Sequence, residues 1–274
     1  MLERAIPSSG ELLPVIGLGT WQQFDVGTSA MERDPLKKVL QQMANGAAKL
    51  IDSSPMYARS EQVTGDLTQA TGLADRFFYA TKVWTSGKQA GIDQMNASCK
   101  KMQRQQMDLI QVHNLVDWQT HLQTLRSWKE EGKLKYIGIT HYTASAHPQL
   151  EQVIKKEKID FVQFNYSIGV RNAEQSLLKT AQEKGVAVII NEPFEKGSLF
   201  RLVSGKQLPA WTKEHDIINW TQFFLKFILA QEVVNCVIPG TSNPQHMLNN
   251  LSAGNGKMPD EATRKKMIRV MEKL

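Results

Sequence analysis

The 274 residues carry 41% hydrophobic and 22% charged side chains, a balance that excludes disordered and collagen-like classes and supplies a large core. The formal charge of +6 comes from basic residues dispersed in pairs such as Lys155-Lys156 and Lys265-Lys266, and no nucleic-acid motif accompanies them. No apolar run reaches the about 18 residues of a membrane span, and Cys99 and Cys236 have neither metal nor disulfide-framework spacing.

The N-terminus, "MLERAIPSSGELLPVIG", lacks the basic flank, apolar stretch and cleavage site of an export signal, so a cytoplasmic location is expected. From there, eight short apolar segments follow in order: "VIGLG", "KLIDS", "FFYATK", "DLIQVH", "YIGIT", "FVQFN", "VAVIIN" and "NCVIPG". Most end in polar residues, which suits strands of a sheet. Between them lie charged stretches with helical spacing, such as "DPLKKVLQQMANG", "EQVTGDLTQATG", "DQMNASCKKMQRQQM" and "EQSLLKTAQEKG", several closed by a glycine fit for a helix C-cap. The run "WTQFFLKFILA" reads as a buried helix, and the final "RKKMIRVMEKL" as another.

Apolar strands alternating with amphipathic helices require a parallel sheet covered by helices, and eight such units predict an α/β fold, a (β/α)8 TIM barrel forming a single domain over residues 1–274. An open doubly wound sheet is the alternative, but "IGLGTWQQ" lacks the third glycine of its nucleotide fingerprint. The longest irregular stretch runs from Glu192 to about Trp211, after the seventh strand, and a loop of that length in a barrel is usually functional.

Active sites of such barrels lie at the C-terminal ends of the strands. There the chain places Asp52, Lys82 and His113, with Tyr57 on the loop beyond Asp52. Alone, each has an ordinary reading as a cap or a satisfied hydrogen-bond partner. Together they form a proton-transfer set: a buried lysine compensated by an aspartate favours the phenolate of a nearby tyrosine and is expected to lower its affinity for protons, while a histidine orients a substrate oxygen. The six histidines show no HxH or HExxH pattern, so no metal site is expected.

These residues, in "IDSSPMYARSE", "YATKVW" and "LIQVHN", resemble the Asp, Tyr, Lys and His tetrad of the aldo-keto reductases. The resemblance continues through "IGLGTWQ", "WKEEGKLKYIGITHY", "VQFNYS" and "VIPGTSNPQHMLNN", covering nearly the whole chain in the family's order. It implies reduction of an aldehyde or ketone by hydride from C4 of a nicotinamide, with Tyr57 as general acid tuned by Lys82 and Asp52, and His113 orienting the carbonyl.

The resemblance also implies that Gly19, Thr20, Trp21, Thr140, His141, Gln163 and Asn191 surround the nicotinamide, with Gln163 pairing its carboxamide. Pro193, Phe194, Gly197 and Ser198 then belong to the loop over the cofactor, and Gly240, Thr241, Ser242, His246 and Asn250 to the adenosine-phosphate end. Asn243 and Pro244 read independently as the cap and first turn of a helix there, a natural phosphate site. Four positions depart from the family pattern: His141 for asparagine, Asn191 for a stacking aromatic, Gly240 for lysine and His246 for arginine. NADP(H) rather than NAD(H) is expected, with Lys196 and Arg201 on the long loop replacing the missing cations. Trp21, Trp84 and Trp118 are the substrate-facing candidates for an apolar carbonyl compound. A monomer or weak oligomer binding only small molecules is expected; the alternative is a catalytically weak cofactor-binding regulatory or interaction subunit on the same barrel.

Overall fold

Along each barrel strand, alternate side chains enter two different cores, and that period of two organises the molecule. In the computed structural model, which describes residues 1–274, the parallel strands are β3 (Leu18–Gly19), β4 (Leu50–Asp52), β5 (Phe78–Val83), β6 (Met107–His113), β7 (Leu134–His141), β8 (Phe161–Asn165), β9 (Ala187–Asn191) and β10 (Val234–Val237). They pair in sequence order as one eight-stranded sheet. Leu50, Phe78, Ala80, Leu109, Phe161 and Ile189 face inward as one buried cluster. Ile51, Tyr79, Ile110, Ile137, Val162 and Ile190 face outward into a much larger core beneath the helices.

The helical layer comprises α1 (Ala30–Asn45), α2 (Ser60–Ala70), α3 (Lys88–Lys101), α4 (Trp118–Glu130), α5 (His147–Lys156), α6 (Leu177–Glu183), α7 (Ser198–Leu202), α8 (Trp220–Leu229), α9 (Pro244–Ala253) and α10 (Glu261–Met271). Four helix starts are capped by a side-chain acceptor: Ser29, Asn219, Asn243 and Asp260 each accept a first-turn backbone N–H. Helix α8 is apolar nearly all round and almost entirely buried, as its sequence requires. No helix is long and apolar enough to cross a membrane.

Closure depends on glycine at the seam. Parallel bridges join Ile16 to Val237 and Gly19 to Gly240, linking the first and last strands. A Cβ at Gly19 would lie 2.9 Å from the Ile238 carbonyl oxygen, so a side chain there would force the seam apart.

Two features depart from the sequence expectation. The N-terminus forms an antiparallel hairpin of β1 (Glu3–Ala5) and β2 (Leu12–Pro14), and Leu13 of β2 with the adjoining Ile6 completes the inner apolar cluster. Its Arg4 guanidinium donates to the Leu229 carbonyl at 2.6 Å and to that of Gln231 at 2.9 Å, satisfying the open end of α8. The long segment after β9 is also ordered: it contains α7 and two short 3₁₀ turns, Glu195–Gly197 and Ala210–His215.

Candidate active site

The inner face changes from apolar to polar as the strands approach their C-terminal ends. Leu50 gives way to Asp52, Ala80 to Lys82, and Leu109 to Gln111 and then His113. These polar ends meet because strand register aligns them: Asp52 pairs with Ala80, Lys82 with Gln111, and His113 with Thr140.

Lys82 is fully buried, and Asp52 is only 2% exposed. Their ion pair is 2.6 Å long, and the ammonium also donates to the Ser53 carbonyl at 2.6 Å. Tyr57 comes from the turn after β4, where its N–H donates to the Ser54 carbonyl at 3.0 Å. Its ring centre lies 5.0 Å from the Lys82 nitrogen and 6.0 Å from the His113 ring, met edge-on. Ser54 Oγ is 3.1 Å from His113 Nδ1 and accepts from the Met56 N–H, so its hydroxyl proton is free to face the imidazole. With Ser54 donating to Nδ1, the ring proton of the neutral imidazole sits on Nε2.

Burial raises Tyr57 above the ordinary phenol range; Lys82 pulls downward, while Asp52 and Glu192 add to the rise. The expected lowering by Lys82 is therefore present but outweighed, because desolvation of a phenolate is the larger effect. The phenol remains a proton donor. Burial works against the Lys82 cation, yet Asp52 and Tyr57 overcome it and leave its proton affinity above normal.

A cavity of about 650 Å³ opens over these groups. It gathers Asp52, Tyr57, His113, Trp21 and Trp84 with Gly19, Thr20, Thr140, Gln163 and Asn191. Pro193, Phe194, Lys196, Gly197 and Gly240 extend the same wall. Lys196 Nζ sits 5.6 Å from the ring centres of both Trp21 and Tyr142 and 3.3 Å from a Glu192 carboxylate oxygen, spanning the mouth.

Other candidates stand outside this wall. Trp118 opens α4 and packs against the helix-layer core, because left-handed Asn114, Leu115 and Asp117 turn the chain away from the barrel mouth. His141 stacks on Tyr142 and accepts from the Thr143 N–H at 3.2 Å. Ser198 lies in the first turn of α7, and Arg201 in its last. Thr241 Oγ1 accepts from the Asn243 N–H at 3.0 Å, Ser242 and His246 are exposed, and Asn250 is buried in α9. Gln163 does line the cavity, yet its amide is engaged within the protein: it donates to Asp52 at 2.9 Å and accepts from Thr140 and Asn191 at 3.3 Å each.

Sequence reasoning passed over Met56, Asn114, Tyr142, Glu192 and Phe200 on the wall, and Gln111 beneath Asp52. Gln111 had a signal, since the period of two puts it on the same strand face as His113.

The aldo/keto reductase family model matches residues 15–265, all but the ends of the chain. The chain belongs to the aldo/keto reductase family. Its chemistry is NAD(P)H-dependent reduction of carbonyls. Among curated relatives, this aldo/keto reductase is 25% identical to methylglyoxal reductase YeaE of Escherichia coli K12, across 91% of its own length and 89% of that protein's. It is 26% identical to aldo-keto reductase str7 of Strobilurus tenacellus, across 91% and 87% of the two chains. A solved aldo-keto reductase of Klebsiella pneumoniae in complex with NADPH has the same fold, with a TM-score of 0.82 at 21% identity over 99% of this chain and 96% of that one.

In this aldo/keto reductase, His113 is drawn down to about 2 by burial, by Lys82 and by His141, and so stays neutral in the folded state. An unfolded histidine protonates near 6.5, so below that pH the unfolded chain binds the extra proton. His113 thus costs no stability above about pH 6.5 and removes about 1.4 kcal/mol per unit as pH falls well below it. Urea unfolding at about pH 7.5 and about pH 5.5 checks this: His113→Asn should recover about 1.4 kcal/mol of the wild-type loss. An unchanged loss would place the histidine's titration elsewhere.

Proposed function

We propose that this chain reduces apolar aldehydes or ketones with NADP(H) in preference to NAD(H), using Tyr57 as proton donor. The observation that carries the reading is the meeting of Asp52, Tyr57 and neutral His113 at the floor of one cavity, with fully buried Lys82 paired to Asp52 and next to the Tyr57 ring. The cofactor supplies the hydride that reaches the carbonyl carbon. As the carbon–oxygen π electrons move onto oxygen, Tyr57 gives up its hydroxyl proton there, and Lys82 stabilises the phenolate left behind. Asp52 keeps Lys82 charged and aimed, so the proton donor sits beside a fixed cation. His113, neutral and held at Nδ1 by Ser54, uses its remaining N–H to hold the carbonyl oxygen. Trp21, Met56, Trp84 and Phe200 give the cavity exposed apolar walls, and covering them with a hydrophobic substrate releases the water against them.

The residues present fit a nicotinamide dinucleotide. The cavity runs from Tyr57 to Gly240, whose missing side chain leaves backbone open just before α9. The N-terminus of α9, capped by Asn243, suits a phosphate. Thr140 and Asn191 on the cavity wall would hold the nicotinamide amide, and Lys196 and Arg201 lie in the segment after β9 that would cover the phosphates. Those two cations, with the +6 charge, support NADP(H) despite Gly240 and exposed His246.

Titration of the purified protein with NADPH and with NADH, read by tryptophan quenching, tests this because Trp21 is 43% exposed on the cavity wall. NADPH should bind at least about tenfold more tightly, a difference of about 1.4 kcal/mol. Equal affinities would remove the cofactor preference, and no binding of either would remove the reductase reading.

A further inference from the structure

Gln111 is a fully buried amide between apolar Ile110 and Val112 in β6. Its register partners are Lys82 on β5 and Gly138 on β7. A Cβ at Gly138 would lie 3.1 Å from Gln111 Cγ, so the bare neighbour makes room for the glutamine. Its Nε2 donates to Asp52 Oδ1 at 3.4 Å, beside the stronger donation from Gln163 at 2.9 Å. The other carboxylate oxygen takes Lys82.

Asp52's carboxylate accepts and does not donate, so Gln111 must present its NH₂ group to it. The Gln111 carbonyl oxygen is consequently left buried without a partner. An unsatisfied buried carbonyl is unfavourable, and leucine or methionine would fill the same space without one. Stability alone therefore does not explain the residue. A rule broken at this position points to the chemistry above it.

We propose that Gln111 is a positioning residue that, together with Gln163, fixes Asp52 and draws charge from it, so that Lys82 remains shared with Tyr57. The inference rests on Tyr57 being the proton donor. Donors on Oδ1 weaken the field that Asp52 exerts on the phenol and lessen its hold on Lys82. Loss of one donor strengthens both, and both make Tyr57 keep its proton more firmly. The sign is the same by either route.

The test is Gln111→Met, compared with wild type in benzaldehyde reduction by NADPH and in benzyl alcohol oxidation by NADP⁺ across pH. In oxidation the Tyr57 phenolate accepts the proton, so the rate rises with pH until Tyr57 has ionised. The rising limb of the variant should shift upward by about half a unit to one unit, with the deficit vanishing above the limb. NADPH affinity measured by quenching should stay within about twofold, and resistance to urea should be equal or greater. Gln111→Leu, which removes the amide with a different shape, should give the same displacement. A deficit uniform across pH, or an unshifted limb with lower stability, would overturn the inference and leave Gln111 a packing residue. Wild type that turns over neither compound, or that does so undiminished in Tyr57→Phe, would instead overturn the underlying reading.

Discussion

Replacing Tyr57 with phenylalanine is expected to lower carbonyl reduction by about 10²–10⁴-fold in kcat while leaving NADPH binding within about twofold. The ring is retained, so its edge contact with His113 and its packing over Lys82 persist. What disappears is the only group on the cavity floor whose burial keeps it protonated beside a fixed cation. Histidine does not replace it, because His113 is neutral and too poor a base to carry the transferable proton of an imidazolium. Steady-state reduction alongside cofactor titration separates the outcomes. Lost turnover with intact binding supports a transition-state role, whereas unchanged turnover would remove Tyr57 from proton transfer.

Lys82→Met has a second large effect, on stability as well as on rate. Asp52 would stay buried with the oxygen that faced Lys82 uncompensated, and breaking a buried pair from one side costs about 3–5 kcal/mol. For a chain of this size that corresponds to a fall in melting temperature on the order of 10 °C. The double variant Asp52→Asn/Lys82→Met removes both charges and should regain most of that loss, yet remain without reductase activity. Equal melting temperatures for Lys82→Met and wild type would show that the pair is not held as tightly as its 2.6 Å separation implies.

The barrel was legible because parallel strands buried on both faces read as near-continuous apolar runs, and "FVQFN" coincides with β8 residue for residue. Asp52 and His113 end their strands as expected, while Lys82 stands one residue before the end of β5. Other parts depended on tertiary context. The hairpin strands are three residues each, too short to carry a pattern, and they are ordered by plugging the barrel through Ile6 and Leu13. Trp118 lies close to a strand end in sequence, but successive left-handed residues redirect it into the helix layer. Tyr57's net shift depends on how deeply the phenol is desolvated, which no local motif encodes. Gln111 was hidden because its neighbours Ile110 and Val112 read as ordinary core strand.

Reduction of benzaldehyde with NADPH deuterated at C4, followed by mass analysis and quantitation of the alcohol, tests most directly whether hydride passes from the nicotinamide with Tyr57 as proton donor. Deuterium is expected on the carbinol carbon of the alcohol in wild type, and Tyr57→Phe at the same cofactor occupancy should form about 10²–10⁴-fold less of the same labelled alcohol per unit time. Alcohol formed without deuterium from either C4 position, or labelled alcohol formed as fast by the variant as by wild type, would contradict hydride transfer assisted by Tyr57.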